Sequence, residues 1–283
     1  MIPATYSPEA LSILDLDAYF SRIGYTGGAE ATRSTLDALS LAHVSSIPFE
    51  NLDVLLERGI DLELGAIQKK LVFEGRGGYC FEQNSLFLAV LQRLGFEVQP
   101  LSARVRIGRA REFVPPRTHV FVRVELEGES WIADVGVGGL SLTSAVRLGV
   151  EGEQATAHEP RRIVEEEGRY FHQCPLGESW VDVCEFSGEP MYEIDRELGN
   201  WFTSAHPKSH FRNRLVVARA APGGRRISLL NDELTLRAAD GSAEQQKLRS
   251  PAALLEALDQ YFGLHFPAGT EFRLYPFGEV VAG

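Results

Sequence analysis

Apolar residues in the N-terminal third of the chain recur with the period of an α-helix. The first stripe ends at Gly24 and keeps the i, i+3, i+4, i+7 spacing through Leu16, Tyr19, Phe20 and Ile23. Similar stripes cover 36–43, 66–72 and 80–94. Gly95 follows the last of these, as is typical of a helix C-terminal cap. The pattern predicts a helical N-terminal region.

From residue 97 onward the apolar period changes to two, which is the period of a β-strand. Strand-like runs begin with Val98, Leu101 and Val105 and continue over 120–126, 130–135, 169–172 and 179–186. Many short strands separated by turns are typical of an antiparallel sheet or a small barrel. We therefore predict a β-rich middle region.

The C-terminal quarter combines both periods. The strand-like runs Leu215–Ala220, Arg226–Leu230 and Leu234–Arg237 are separated by turn residues and predict a meander. Ser250 then precedes Pro251, the pair of residues expected at the cap and first position of a helix. The apolar face of this final helix consists of Leu254, Leu255, Leu258 and Phe262.

Composition limits the classes of protein that fit. The 283 residues are 44% hydrophobic, which is enough for a large core and one to three domains. The net charge of -11 repels phosphate backbones and argues against a nucleic-acid partner. No basic leader and no membrane-length apolar run is visible, so we expect a cytoplasmic protein without a membrane partner.

The chain has three cysteines, at positions 80, 174 and 184. So small a number, and an odd one, does not indicate a disulfide framework. The chain has no Cys-x-x-Cys or His-x-x-x-His pair, so we expect no metal. Cys174 and Cys184 fall in strand-like runs and are interpreted as buried thiols.

Cys80 has a different setting, because it follows Arg76-Gly77-Gly78-Tyr79 and opens a predicted amphipathic helix. A helix N-terminus presents unpaired N–H groups and a partial positive charge. Both stabilise a thiolate, which is the reactive form of cysteine. The same N–H groups can stabilise a tetrahedral oxyanion. The sequence therefore favours Cys80 as a nucleophile over an inert cysteine at a glycine turn.

A histidine and an aspartate lie on two runs that predict a hairpin. With Glu127-Gly128 as its loop, Phe121 opposes Asp134 and His119 lies diagonal to it on the same face. The Asp134 carboxylate can then reach one nitrogen of His119. This is the geometry of a base and its orienting acid, and with Cys80 it predicts a nucleophile–base–acid arrangement.

The same residues resemble the arylamine N-acetyltransferase family in its bacterial form. Its nucleophile motif is matched by 76–84, and its base and acid segments by Thr118-His119 and 134–136. An upstream motif is matched by 47–52, and a segment beside the cleft by 200–207. The resemblance runs nearly end to end.

This resemblance implies an α+β fold with an N-terminal helical bundle (1–95), an antiparallel β-barrel (96–210) and a C-terminal α/β lid (211–283). The first two parts would form a papain- and transglutaminase-like cysteine-enzyme core. It also implies acetyl-CoA as the acyl donor and arylamines or hydrazines as acceptors, with ping-pong kinetics through an acyl-Cys80.

The resemblance further assigns binding roles. Thr118, Gly136 and Gly138 are expected along the CoA path, and the acceptor pocket is expected to contain Phe49, Val137 and Phe211. Val137 departs from the phenylalanine that many relatives carry, so we expect a wider pocket.

Three alternatives remain open on the sequence. The same triad would serve a cysteine amidase or transglutaminase-like enzyme, or an amide synthase that closes a macrolactam in natural-product assembly. A non-catalytic binding module would be expected to lose one triad member, whereas this chain retains all three.

Overall fold

A computed structural model describes residues 5–273, and the first four and last ten residues lie outside that range. The predicted helical stripes are confirmed, and glycines with positive φ (Gly24 at 65° and Gly95 at 86°) follow two of them. A π-helical turn, Lys69–Phe73, extends α5. The helices are α1 Pro8–Leu11, α2 Leu16–Ile23, α3 Arg33–Ser46, α4 Leu52–Leu55, α5 Leu64–Gln68, α6 Cys80–Arg93, α7 Glu193–Ala205 and α8 Pro251–Phe262.

Twelve strands lie within the described residues. They are β1 Phe49–Glu50, β2 Glu97–Val105, β3 His119–Leu126, β4 Glu129–Ala133, β5 Val146–Arg147, β6 Arg162–Glu166, β7 Arg169–Leu176, β8 Ser179–Pro190, β9 Val216–Ala221, β10 Arg225–Leu230, β11 Glu233–Arg237 and β12 Ala243–Lys247. All neighbouring strands are antiparallel.

Seven strands form a nearly closed barrel in the order β5-β4-β3-β2-β8-β7-β6. Its two edge strands, β5 and β6, approach each other. Gln154 bridges them, because its side chain bonds the backbone of Arg147 on β5 and its backbone pairs with Arg161 just before β6. Polar groups at the barrel edge are thereby satisfied without a continuous strand ladder.

The other five strands form the lid sheet, in the order β1-β9-β10-β11-β12. Strand β1 comes from the N-terminal third, so the upstream segment around Phe49 is joined to the lid by backbone pairing with β9. Helix α8 packs on one face of this sheet through Leu254 and Leu258. Ser250 caps α8 as predicted, since its Oγ accepts from the N–H of Ala253 at 3.1 Å.

Alternate side chains of β3 point to opposite faces, as predicted, and therefore pack into two different hydrophobic cores. Val122 and Val124 pack into the helical core with α6, whereas Phe121 points into the barrel interior beside Leu101. A smaller cluster, containing Phe49, Tyr79, Cys80, Val120 and Ala218, lies where helices, barrel and lid meet. The chemistry proposed for Cys80 therefore sits at the junction of all three parts.

Some elements were not predicted from the sequence. Helix α7 is one of them, although Ile194, Leu198, Trp201 and Phe202 recur along it at helical spacing. The strands β1, β5, β6 and β12 were not predicted either, and β7 and β8 extend beyond the predicted runs. Among residues 5–273, no helix is long and apolar enough to cross a bilayer. The boundaries 1–95, 96–210 and 211–283 stay our proposal for the domains, and the last ten residues of that lid lie outside the described part.

Candidate active site

The loop before Cys80 is pressed against the strand-forming segment upstream of it. A Cβ on Gly77 would lie 2.0 Å from the carbonyl oxygen of Pro48, so only glycine fits there. The carboxylate of Glu82 accepts a hydrogen bond from the N–H of Tyr79 at 3.0 Å, which fixes the chain where α6 begins. Gly77 thus admits the backbone of the upstream segment, and Gly78 lies against the Glu82 side chain.

A buried ion network lies beneath this loop. Arg76 donates to Glu50 at 2.6 Å and to Asp53 at 3.2 Å. Lys70 lies 2.7 Å from both Asp53 and Glu82. Arg76, which leads into the glycine turn, is held by these hydrogen bonds, and the network links the two sequence motifs around residues 50 and 80.

Cys80 is the first residue of α6 and is 5% exposed. Its thiol lies 3.6 Å from the carbonyl oxygen of Thr118, the residue immediately before His119. Gly136 approaches from the other side, since a Cβ there would lie 2.9 Å from the Cys80 Cα. Cys80 is therefore held between the start of β3 and the glycine cluster after β4.

His119 and Asp134 are joined as the hairpin register predicted. Leu126 pairs with Glu129 and Val122 with Ala133, so the loop consists of two residues. Both loop residues have positive φ, as a type I′ turn requires. The His119 Nε2 lies 2.7 Å from Asp134 Oδ2, and both side chains are almost fully buried.

The electrostatics of the pair follow from this contact. Burial alone would lower the pKa of His119, but the adjacent Asp134 carboxylate raises it well above its ordinary value. Burial would likewise raise the pKa of Asp134, yet His119, Asn84 and the N–H of Gly136 hold it below the ordinary value. A cationic imidazole beside an ionised carboxylate is thereby stabilised, which is the form that would accompany a Cys80 thiolate.

Two residues at the site were missed by sequence reasoning. Asn84 donates to Asp134 Oδ1 at 2.9 Å and to the Val120 carbonyl at 2.7 Å. Its position four residues after Cys80 puts it on the same helix face, a signal that could have found it. Cys184 was predicted as a buried thiol, and it is buried, but no sequence signal placed it beside the His119–Asp134 pair.

The donor atoms of His119, Asp134 and Cys184 lie within 4.8 Å of one another, and these residue types can bind metal ions. The His119–Asp134 distance of 2.7 Å is a hydrogen bond. Two ligands of one tetrahedral Zn²⁺, at bond lengths of about 2.0–2.1 Å, are separated by roughly 3.3 Å. The pair is thus arranged for proton chemistry, and the absence of a metal stays a prediction.

The residues expected to bind substrate lie in two neighbouring places. Phe49 and Phe211 meet at 5.9 Å between ring centroids, next to Cys80. Gly138, with φ of 94°, lies against the Phe49 ring, where an added Cβ would approach to 3.5 Å. Val137 packs instead in the barrel cluster with Phe121, whose ring stacks on His119. The structure therefore separates Val137 from the two phenylalanines.

A groove of about 640 Å³ runs beside Thr118. Helix α7 forms one wall with Leu198, Gly199 and Phe202. Asn200 of α7 accepts a hydrogen bond from the Tyr79 hydroxyl, so the groove wall is attached to the loop that precedes Cys80. The segment 200–207 lies beside the cleft, as the resemblance implied.

A cysteine at a helix start, beside the barrel strand that carries a buried histidine–aspartate pair, is an arrangement typical of enzymes that carry an acyl group on sulfur. A family model described as N-acetyltransferase matches residues 32–270. The chain belongs to the arylamine N-acetyltransferase family.

Relatives extend over most of the chain. The Escherichia coli (strain K12) protein named arylamine N-acetyltransferase is 41% identical over 249 residues, which cover 88% of each chain. The solved structure of the arylamine N-acetyltransferase from M. tuberculosis has a TM-score of 0.85 at 37% identity, and covers 88% of this chain and 93% of that one. The Mycobacterium marinum enzyme in complex with CoA has a TM-score of 0.84 at 35% identity, with 88% and 92% covered. The predicted fold class is confirmed.

Proposed function

We propose that this chain transfers an acetyl group from acetyl-CoA to an arylamine or hydrazine through an acyl-enzyme on Cys80. The observation that carries the proposal is the position of the Cys80 thiol, 3.6 Å from the carbonyl oxygen of Thr118, at the start of the strand on which His119 is hydrogen-bonded to Asp134. A groove runs beside Thr118. Family membership supports the donor and the acceptor class, because the relatives are named for this activity.

In the first step His119 takes the thiol proton of Cys80, and the thiolate attacks the acetyl carbonyl carbon of acetyl-CoA. The carbonyl π electrons move to oxygen and then return, the C–S bond to CoA breaks, and the CoA thiolate takes the proton from His119. The acetyl group remains on Cys80 as a thioester. Asp134 holds the imidazole ring in place and stabilises its cationic form.

The tetrahedral oxyanion of this step needs hydrogen-bond donors. The first N–H groups of a helix have no intrahelical acceptor, and Cys80 and Phe81 open α6. Their N–H groups and the positive end of the helix dipole are placed to stabilise negative charge beside the Cys80 sulfur.

In the second step the neutral amine nitrogen attacks the Cys80 thioester. His119 takes the proton that the nitrogen loses, and the C–S bond to Cys80 breaks to give the amide and the Cys80 thiolate. Return of the proton from His119 to Cys80 restores the starting state. Arylamines are largely unprotonated at neutral pH, so they need little activation. Phe49 and Phe211 offer aromatic faces for such an acceptor next to Cys80, and Val137 is included in this pocket by resemblance.

Bound acetyl-CoA, the donor, is proposed to lie along Thr118, Gly136 and Gly138. A charge asymmetry supports an anionic donor, since residues 205–230 contain six Lys or Arg and no Asp or Glu within a chain of net charge -11. This stretch includes Phe211 and begins at the end of α7. A CoA phosphate is attracted by such a local excess of positive charge. A cytoplasmic location and the absence of nucleic-acid partners belong to the same proposal.

Initial rates with acetyl-CoA and an arylamine test the mechanism. Parallel double-reciprocal lines at several fixed acceptor concentrations are expected for an acyl-enzyme, and intersecting lines would contradict it. A panel of peptide amides separates the transferase from an amidase or transglutaminase-like enzyme. Turnover of the amides with no use of acetyl-CoA would overturn the proposal.

A further inference from the structure

A line of mostly buried polar side chains leads away from the His119–Asp134 pair. We call it the polar column. Cys184 and His172 lie on barrel strands β8 and β7, Arg161 and Glu159 on the segment just before β6, and Arg226 on lid strand β10. All of them are buried except Glu159, whose side chain is 22% exposed. The acyl-transfer steps described above use none of them.

The inner end of the polar column contacts the proposed base and acid. The Cys184 sulfur lies within 4.8 Å of a His119 ring nitrogen and an Asp134 oxygen. Cys184 on β8 pairs directly across the sheet with His172 on β7. The two side chains therefore lie side by side on the inner face of the barrel.

The outer end continues to the lid. Arg161 Nη1 donates to His172 Nε2 at 3.3 Å, and Arg161 also pairs with Glu159. Arg226 donates to Glu159 at 2.7 Å and to the carbonyl of Ser141 at 3.0 Å. An unbroken sequence of contacts thus joins the lid sheet to the surroundings of His119.

The charges of the polar column do not cancel. Two guanidinium groups, of Arg161 and Arg226, face the single carboxylate of Glu159, which leaves one net positive charge. Arg161 is fully buried, and its Nε has no acceptor among the described residues. A buried ion group is expensive, and well-packed apolar residues often stabilise a fold equally well. A purely structural role accounts poorly for this charge.

We propose that Arg161, whose charge Glu159 only partly offsets, is a positioning residue that sets a net positive potential behind the His119–Asp134 pair and thereby favours the Cys80 thiolate. The proposal rests on the proposed function, because it takes Cys80 as the nucleophile and His119 as its base.

The sign of the effect follows from Coulomb's law. A positive potential at the site favours the states in which Cys80 and His119 together have lost protons. Burial, reinforced by the Arg161 guanidinium, lowers the pKa of His172 to about 3, so His172 stays neutral and adds no charge of its own. The other titratable groups facing Cys80 and His119 stay unchanged in the test below: Asp134, Cys184, Tyr79 and the Lys70–Glu82 pair.

The test is the pH profile of Cys80 alkylation by iodoacetamide, with the modified peptide identified by mass spectrometry. Arg161→Met removes positive charge and should move the acid limb of the profile upward. A shift of roughly one pH unit corresponds to a unit charge acting over about 10 Å at an effective dielectric constant near 20. Glu159→Gln removes negative charge and should move the limb downward, and Arg161→Lys should leave it in place.

Arg106 supplies the matched control. It is another buried barrel arginine, it pairs with Glu185, and Glu185 keeps Arg169 as a partner when Arg106 is replaced. Glu159 likewise keeps Arg226 when Arg161 is replaced. Arg106→Met should therefore lower stability without moving the alkylation profile.

The proposal is supported if the acid limb of the alkylation profile moves up in Arg161→Met and down in Glu159→Gln. Loss of packing alone would not move the limb in opposite directions in the two variants. Wild-type profiles in both variants, or shifts in one direction, overturn it. If Arg161→Met does not fold, Glu159→Gln is the test. A downward shift of its acid limb supports the proposal, and no shift overturns it. If iodoacetamide and acetyl-CoA leave Cys80 of the unaltered protein unmodified, the proposed function itself fails.

Discussion

The Asn84 side chain donates to Asp134 Oδ1 at 2.9 Å and thereby joins α6, which begins with Cys80, to the residue that follows β4. The same amide accepts from the N–H of Val135 at 3.0 Å. Cys80 lies one helical turn before Asn84, so α6 sets the positions of both Cys80 and Asp134. The relation explains how residues from a helical region and a barrel keep a common geometry.

Replacing Asn84 should lower both activity and stability. In Asn84→Leu the Oδ1 of Asp134 loses a buried donor, at a cost of about 1–3 kcal/mol in the free energy of unfolding. A misoriented Asp134 should lower kcat/KM by roughly tenfold to a hundredfold. Steady-state kinetics and urea unfolding measure the two effects.

Ser85→Ala is the matched control on the same helix, because Ser85 is buried and faces Tyr6, away from the site. Its kcat/KM should stay near the unaltered value. Unchanged kcat/KM in Asn84→Leu, with stability alone reduced, would show that Asp134 does not need Asn84.

The contact between Asp134 and His119 predicts a larger effect on chemistry. Asp134→Asn keeps the size of the side chain but removes the charge that favours the imidazolium. It also replaces a carboxylate, which only accepts hydrogen bonds, with an amide that can turn its NH2 group towards the imidazole. We expect kcat to fall on the order of 10⁴-fold, as for the equivalent loss in other nucleophile–base–acid systems. A fall of less than about tenfold in a correctly folded variant would remove Asp134 from the mechanism.

Much of this arrangement could be predicted from local signals. Apolar periods predicted α2, α3, α6 and α8. A two-residue loop fixed the register that brings His119 to Asp134. These features depend on neighbours in sequence, where period and turn chemistry act directly.

Contacts across the barrel were not predictable in this way. Cys184 lies near His119 because β2 separates their strands: Ala103 of β2 pairs with His119 on one side, and Val105 pairs with Cys184 on the other. The β2–β8 register also shifts between Leu101 and Ala103. The pairing of His172 with Cys184 likewise depends on a bulge in β7 and β8. A shift of one residue turns a side chain to the other face, and no periodic pattern reports it.

Another buried histidine predicts a pH dependence of stability. Burial lowers the pKa of His43 to about 4, although its hydrogen bond to Gln83 opposes this. An unfolded histidine has a pKa near 6.5, so between about pH 6.5 and pH 4 the unfolded chain binds a proton that folded His43 excludes. This contribution to stability is present above about pH 6.5 and is lost as the pH falls, by about 1.4 kcal/mol per pH unit.

Urea unfolding of His43→Gln from about pH 7 down to pH 4 tests this, since the variant should show a shallower decline with acid, by about one proton. His265→Gln is the control, because the His265 side chain is 79% exposed. Identical slopes for His43→Gln and the unaltered chain would contradict the assignment.

Val137 provides a prediction about specificity. Val137→Phe adds a ring where Val137 packs near Phe121, next to His119. Rates with bulky arylamines should fall more than rates with small ones, and overpacking should reduce stability by about 1–3 kcal/mol. The ratio of kcat/KM values across small and bulky acceptors is the measurement, and an unchanged ratio would mean that residue 137 does not shape the pocket.

The most direct test of the account is mass spectrometry after mixing the protein with acetyl-CoA and no acceptor. One adduct of about 42 Da, the mass gained when acetyl replaces hydrogen, should map to the Cys80 peptide and disappear when an arylamine is added. It should be absent in Cys80→Ser and present in Cys174→Ser, whose thiol is also buried. Acetylation of another residue, or full turnover by Cys80→Ser, would contradict the central claim.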